Sequence, residues 1–467
     1  MKVKHLKIKN FRGLSDLELE FQVQEPMVLV GVNGVGKSSI LDCLTILLSQ
    51  FTGRLQDSLS MRFFDDKDIM NGRQSLECEI TIVEGEREIS WALQKERLSS
   101  VRDVRSTGMK RLEAIKSILY DVNEEQLQAL SQKRNELSKA LQAVTVALDF
   151  IEEEGDNQTL PSLQAYVDEL TTRLSTSNIN LPVIVSYPVN RAVLEMPLDM
   201  TQENIFSQVN AYDQALTGGR IDFKGFFEWF RNREDLENEQ RRNNPDYRDI
   251  QLETARNAIS SLQPDFTDLH VIRASLQMMV KKQGQELVVN QLSDGEKCLL
   301  ALVGDLARRL ATANPYLENP LLGDGVVLID EIELHLHPKW QREIIPALKR
   351  TFPNCQFIVS THSPQIVSHI KPDNIYIITA TPDGVTLQQP ENSFGRDSNQ
   401  ILEDLMGVSE RPQQIKNSLS DLFKLIDQGN LETAKQLRQN LATQIGEDDP
   451  EFVRADVLIR RKEILNR

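Results

Sequence analysis

Gly31-Val32-Asn33-Gly34-Val35-Gly36-Lys37-Ser38 decides the fold. The eight residues fit G-x-x-x-x-G-K-S/T and stand between the wholly apolar run Met27-Val28-Leu29-Val30 and a helical pattern of about three turns from Lys37. A short run with no polar side is what a central parallel strand, covered on both faces, requires. The glycines let successive backbone N–H groups converge on the α- and β-phosphates of a nucleotide. The helix N-terminus adds partial positive charge, and Lys37 adds a point charge for the β/γ oxygens. Ser38 carries the hydroxyl that ligates Mg²⁺ in such a loop. A glycine-rich turn that only caps a helix is the bland alternative, and the strand before it and the helix after it weigh against that.

Far downstream, Val326-Val327-Leu328-Ile329-Asp330-Glu331 is an apolar strand ending in two acids. Alone this is also what a solvated strand exit looks like; with the P-loop upstream it reads as a Walker B element. Asp330 then reaches the Mg²⁺ shell, and Glu331 orients and polarises the water that attacks the γ-phosphate in line. Between the two motifs, Leu292-Ser293-Asp294-Gly295-Glu296-Lys297 opens a helix that continues through Cys298 and Leu302. Ser293 with Glu296 three residues on is a capping box. The same helix N-terminus, with the Ser293 hydroxyl and the Gly295 N–H, also suits the γ-phosphate held by another subunit.

These elements together resemble the ABC ATPases, whose L-S-G-G-Q or S-x-G-E helix completes the site of the opposite protomer. Ser293, Gly295 and Glu296 match; Asp294 departs from the transporter glycine and suits the SMC, RecF and OLD-like branch. His362, in Ser360-Thr361-His362-Ser363-Pro364, matches that branch's switch histidine, which contacts the γ-phosphate. Asn10-Phe11-Arg12-Gly13 resembles an N-F-R-G element whose arginine lies near the nucleotide, and Asn33 matches the N-G-x-G-K-S variant of the loop. Glu331 to Pro338 resembles an E-P-E-x-H-L-H-P run that includes the D-loop between protomers, with Ile332 in place of its proline. His335 and His337 in that run are poor zinc ligands, being two apart with no third, and read as interface or structural residues.

The resemblance implies an α/β fold: an ABC-type P-loop ATPase head with a short helical insertion and a C-terminal helical segment. It implies ATP and Mg²⁺ as cofactors, with Glu331 and His362 catalytic and Ser38 and Asp330 on the metal. Arg12, Asn33, Gly34, Gly36, Lys37, Ser38, Ser39, Ser293 and Gly295 would hold the nucleotide, and the active form would be a homodimer or higher homo-oligomer. Within the branch the sequence is similar to the PtuA family, the ATPase subunits of Septu-type antiphage systems, and to the ATPases of some retron systems. The short insertion, Pro188-Val189-Asn190-Arg191, and a tail containing Ser409-Glu410-Arg411-Pro412, Leu431-Glu432-Thr433-Ala434 and Gly446-Glu447-Asp448-Asp449-Pro450 carry that likeness. It implies an antiphage role exercised through a partner nuclease of the HNH family. A RecF-like repair ATPase that binds DNA itself shares the same chemistry, and the motifs do not separate the two. The S-x-G-E helix and the T-H-S-P switch point away from a transporter subunit.

Around these motifs the chain divides into 1–108, an N-terminal lobe with Walker A; 109–180, a helical insertion; 181–395, a second lobe with signature, Walker B and switch; and 396–467, a helical segment. At about 1.5 Å per residue the insertion is too short for an SMC-type rod, and reads as a lever or docking face. The half-buried strands expected at Leu6–Ile8 and Leu17–Phe21 alternate with polar residues, and 76–83 with 88–93 reads as a hairpin. A polar helical stretch is expected from 221 to 262, its arginines Arg231, Arg233, Arg241, Arg242 and Arg248 lying on a solvated face with interleaved acids. The 53 basic against 69 acidic residues give a net charge of −16, which disfavours a nucleic-acid coat and leaves nucleic acid to a local patch or a partner. The four cysteines are too scattered for a metal finger and read as reduced and buried. No run of about 20 apolar residues suggests a membrane span, so a cytoplasmic protein is expected. The amphipathic tail, with Leu419, Leu422, Leu425 and Ile426 at helical spacing, has no D-x-D pair for a Toprim nuclease; it packs on the ATPase or presents a partner surface.

Overall fold

The computed structural model describes residues 1–56, 60–97, 160–189, 207–217, 223–382 and 384–465. They fall into two compact units, Met1–Gly395 and Arg396–Arg467.

In the first unit, the N-terminal strands are β1 (Lys2–Phe11), β2 (Leu14–Glu20) and β3 (Met27–Val30), followed by the hairpin β4 (Ser75–Glu84) and β5 (Arg87–Glu96). β1, β2, β4 and β5 form an antiparallel sheet in the order β2-β1-β4-β5, and Gly85, with φ 59°, makes the hairpin turn. Their alternation puts Leu6, Ile8, Leu17, Leu19, Ile80 and Ile82 inside. β3 belongs instead to a six-stranded sheet with β6 (Val183–Tyr187), β10 (Gly325–Ile329), β11 (Cys355–Thr361), β12 (Ile375–Thr381) and β13 (Gly384–Gln388). The order is β13-β12-β3-β11-β10-β6; only β13 runs antiparallel to its neighbour. All residues of β3, β10 and β11 are buried, as a two-faced central position demands. The register pairs Thr361 with Val30 and Ile329 with both Val359 and Tyr187, so these strands end side by side.

Helix α1 (Lys37–Leu55) is longer than the three turns expected from the sequence. It touches β4 of one sheet and β11 of the other, and that two-sided packing keeps residues as far along as Phe51 buried. Trp91 Nε1 donates to Leu47 O at 3.0 Å, fixing β5 to this helix. Helix α2 (Leu160–Thr176) buries Leu163, Val167 and Leu170, and Tyr166 stacks on Phe51 at 5.7 Å. This part of the expected insertion is docked on α1 and β5; the helical periodicity read over 109–152 lies outside the described residues.

The stretch from 221 to 262 departs from expectation. It forms two helices, α3 (Phe223–Arg241) and α4 (Ile250–Leu262), and α3 buries Phe226, Phe227, Trp229 and Phe230. Two of its acids, Glu234 and Glu237, are buried, while Asp235 and Glu239 are exposed. Glu237 takes Arg256 at 3.1 Å and Arg241 at 3.3 Å, and Glu234 takes Arg273 at 2.6 Å and the Val271 N–H at 3.1 Å. Arg233 lies 3.5 Å from Asp249, while Arg242 and Arg248 are exposed. Buried carboxylates need such partners, and Arg231, Arg233 and Arg241 of the expected solvated face are accordingly half-buried. Arg273 follows β7 (Phe266–Ile272), which with β8 (Gln277–Lys282) and β9 (Gln285–Val288) makes a three-stranded sheet that the sequence reading did not foresee.

Helix α5 (Asp294–Ala313) is followed by α6 (Pro338–Thr351) and the short α7 (Pro364–Val367). Inside α5, Asp305 is fully buried and accepts from Arg308 and Arg309 at 2.7 Å each, and from the Tyr187 hydroxyl at 3.0 Å. Tyr187 O accepts the Asp330 N–H at 2.9 Å, so this cluster ties α5 to the strand ends beside the acids.

The second unit has four helices, α8 (Ser398–Asp404), α9 (Gln413–Asp427), α10 (Leu431–Ile445) and α11 (Pro450–Leu465). Leu419, Leu422 and Ile426 pack with Ala434, Leu441, Phe452 and Ala455 in a core of the unit's own. All four cysteines are buried and none is in a disulfide. No described helix is long and apolar enough to cross a membrane.

Candidate functional site

The carboxyl ends of parallel strands in an open α/β sheet face the crevice where ligands bind. Here β3 delivers the P-loop, β10 delivers Asp330 and Glu331, and β11 delivers His362 to one edge. The loop's shape depends on its glycines. Gly34 and Gly36 have φ of 78° and 117°, and a Cβ at Gly31 would stand 2.6 Å from Ile378 O. Gly36 caps α1, with Ser38 exposed and Ser39 half-buried in the first turn and Asn33 exposed in the loop. Lys37 is only 5% exposed and its Nζ donates to Gly31 O at 2.8 Å and Val32 O at 3.0 Å. Burial pulls its pKa below the ordinary lysine value, and the carboxylates of Asp330, Glu331 and Glu333 oppose that pull. A buried cation facing three acids across a glycine cradle fits a triphosphate with a divalent ion between them.

Ser360, the penultimate residue of β11, organises the acids. Its hydroxyl donates to Asp330 Oδ1 and accepts the Glu331 N–H at 2.8 Å. That second bond holds Glu331 in the left-handed region, φ 45°, where a non-glycine residue is uncommon. Glu331 Oε1 lies 4.0 Å from His362 Nε2. Glu333 accepts the His362 N–H on one oxygen and the Thr361 hydroxyl on the other, the latter at 2.8 Å. Sequence reasoning missed both Ser360 and Glu333, although each sits within three residues of a residue it named.

Arg12 lies at a left-handed turn, φ 52°, where its guanidinium bridges Asp42 of α1 at 2.5 Å and Asp68 at 2.9 Å; Arg62 also holds Asp42, at 2.8 Å. The capping box at α5 is present: Ser293 N and Oγ donate to Glu296 Oε2 at 3.1 and 2.8 Å, and Lys282 secures the other oxygen at 2.6 Å. His337 caps α6, its Nδ1 accepting the Lys339 N–H at 3.3 Å, which gives it a structural role. Gly295 is packed against the D-loop run, where a Cβ would meet His335 O at 2.4 Å, and His335 itself has φ 63°. Gly295→Ala is therefore expected to push the 331–338 segment out of place, lowering stability by about 1–3 kcal/mol and slowing ATP turnover. Wild-type urea midpoint and turnover in that variant would show that the close approach is not a constraint.

The chain is 28% identical to the Retron Ec83 probable ATPase of Escherichia coli, over 99% of this chain and 87% of that one. It is 33% identical over 115 residues to the Septu protein PtuA of Bacillus thuringiensis, covering 23% of this chain and 29% of that one. The SMC head domain from Thermotoga maritima aligns with a TM-score of 0.40 at 15% identity, over 84% of this chain and 100% of that one. Residues 27–368 match the family described as "AAA domain, putative AbiEii toxin, Type IV TA system", a span running from the strand before the P-loop to the turn after α7, and the chain belongs to that family as a P-loop ATPase.

Proposed function

We propose that this chain binds ATP with Mg²⁺, closes into a homodimer or higher homo-oligomer around the nucleotide, and governs a separate HNH-family nuclease in cytoplasmic defence against phage. The observation that carries the hydrolytic part is the pairing of Glu331 with His362 at 4.0 Å beside the buried Lys37. Lys37 and the 31–36 backbone hold the phosphates, Ser38 and Asp330 hold the Mg²⁺, Glu331 orients the attacking water, and His362 addresses the γ-phosphate. When bound, the ion neutralises charge that develops on the phosphoryl oxygens. Ser293 and Gly295 serve the nucleotide of the opposite subunit, with Asn33, Gly34, Gly36, Ser39 and Arg12 around the chain's own. In this reading 1–108 and 181–395 are the two lobes of the head, 109–180 the insertion and 396–467 the helical segment. The names of the retron and Septu relatives support the defence role; the separate nuclease is carried over from the resemblance to the PtuA family.

The test mixes two inactive variants. Lys37→Ala should lose ATP binding by calorimetry, while Ser293→Arg should bind ATP as a monomer yet neither dimerise with ATP nor hydrolyse it. A mixed pair assembles one composite site free of both defects, so turnover should partly return on mixing. No recovery at any ratio counts against sites shared between subunits, unless hydrolysis requires both sites at once. Purification with the products of neighbouring genes identifies the partner, and metal-dependent DNA cleavage by the isolated chain would overturn the separate nuclease.

A further inference from the structure

We propose that Glu333 is a positioning residue for ATP hydrolysis, holding the switch segment so that the His362 imidazole meets Glu331. This rests on the reading of Glu331 and His362 given above. β11 ends at Thr361, which pairs with the last residue of β3, so the N–H of His362 emerges beyond the ladder and needs an acceptor from elsewhere. The Glu333 carboxylate supplies it, and its other oxygen takes the Thr361 hydroxyl at 2.8 Å. Thr361 Oγ1 in turn accepts the Ser363 N–H at 3.0 Å, and the Ser363 hydroxyl donates to Gln341 Oε1 at 2.7 Å. One carboxylate thus organises 361–363 through charge-assisted bonds, stronger than neutral ones.

Its own position is set from the other side. Glu333 lies between Glu331 and His335, both left-handed, and His335 O rests against Gly295 at the start of α5. The 331–335 segment that carries Glu333 is thus braced at His335 by Gly295 and at Glu331 by Ser360.

The test compares kcat and KM for ATP in wild type, Glu333→Ala, Glu333→Gln, His362→Ala and the double alanine variant. Glu333→Ala is expected to lower kcat by about tenfold to a hundredfold with KM within about twofold of wild type. The double variant should be no slower than the slower single variant, because both changes remove one unit. Glu333→Gln should recover most of the loss: its carbonyl can accept the His362 N–H, and its amide can donate to Thr361 Oγ1. Multiplying losses in the double variant, a change confined to KM, or a glutamine variant as slow as alanine would each overturn the proposal. Should the alanine variant fail to fold, Glu333→Asp withdraws the carboxylate by one methylene and keeps its charge; a fall in kcat at constant KM supports the proposal, and an unchanged kcat refutes it. Glu331→Gln runs alongside, since wild-type turnover there would sink the reading of the site and not the role of Glu333 alone.

Discussion

Glu331→Gln is expected to slow ATP hydrolysis by about a hundredfold to ten-thousandfold while ATP affinity stays near that of the wild type. The substitution preserves volume and leaves intact the bond from the Glu331 N–H to Ser360 Oγ at 2.8 Å, so the left-handed backbone is held as before. Asp330, which Ser360 also engages, keeps its carboxylate, and the phosphate cradle around Lys37 is untouched. What disappears is the negative oxygen 4.0 Å from His362, to which the proposed function assigns the polarising of water. Single-turnover hydrolysis and calorimetric binding, measured on one preparation, separate the two effects. Wild-type turnover would remove Glu331 from the chemistry, and lost binding would make its role architectural.

Asp305→Asn should cost about 3–5 kcal/mol of stability at neutral pH, because it leaves Arg308 and Arg309 buried without their counter-charge. Both guanidiniums are nearly inaccessible, at 6% and 2% exposure. Burial alone would push the Asp305 carboxyl up; Arg309 and Arg308 outweigh it and hold the group at about 2, below its ordinary 3.8. The sign follows from linkage. A carboxyl depressed by folding contributes stability that is fully present above its unfolded pKa and is lost as pH falls toward the folded value. The advantage of wild type over Asp305→Asn should therefore be constant from neutral pH down to roughly pH 4 and shrink between there and pH 2. Urea denaturation across that range checks it; an equal gap at every pH would assign the stability to packing instead of charge.

The residues that were legible are those whose partners lie within a few positions or whose pattern is imposed by backbone chemistry. The P-loop reads directly because no other arrangement of glycine, lysine and serine after a buried strand serves a helix N-terminus as well. The capping box at Ser293 reads because both partners lie inside one turn. Glu333 did not read, since its partners Thr361 and His362 follow a helix and a strand later. Glu234 and Glu237 look solvated from their neighbours alone; Arg256 and Arg273, which permit their burial, sit on other elements. β7 and β8 escaped because the irregularity at left-handed Asp268 shifts β7 out of alternation, and β8 buries Met278, Met279 and Val280 in succession.

The place of β3 in its sheet carries a consequence for biosynthesis. Its two hydrogen-bonded neighbours are β11, which starts at Cys355, and β12, which starts at Ile375. On the ribosome, Met27 to Val30 emerge long before the distant strands that cover them are translated. Through that interval the apolar strand depends on transient cover from early segments or from chaperones, because non-local pairing must wait for its sequence-distant partner. The sheet beneath the P-loop is therefore completed only after β12 has left the exit tunnel.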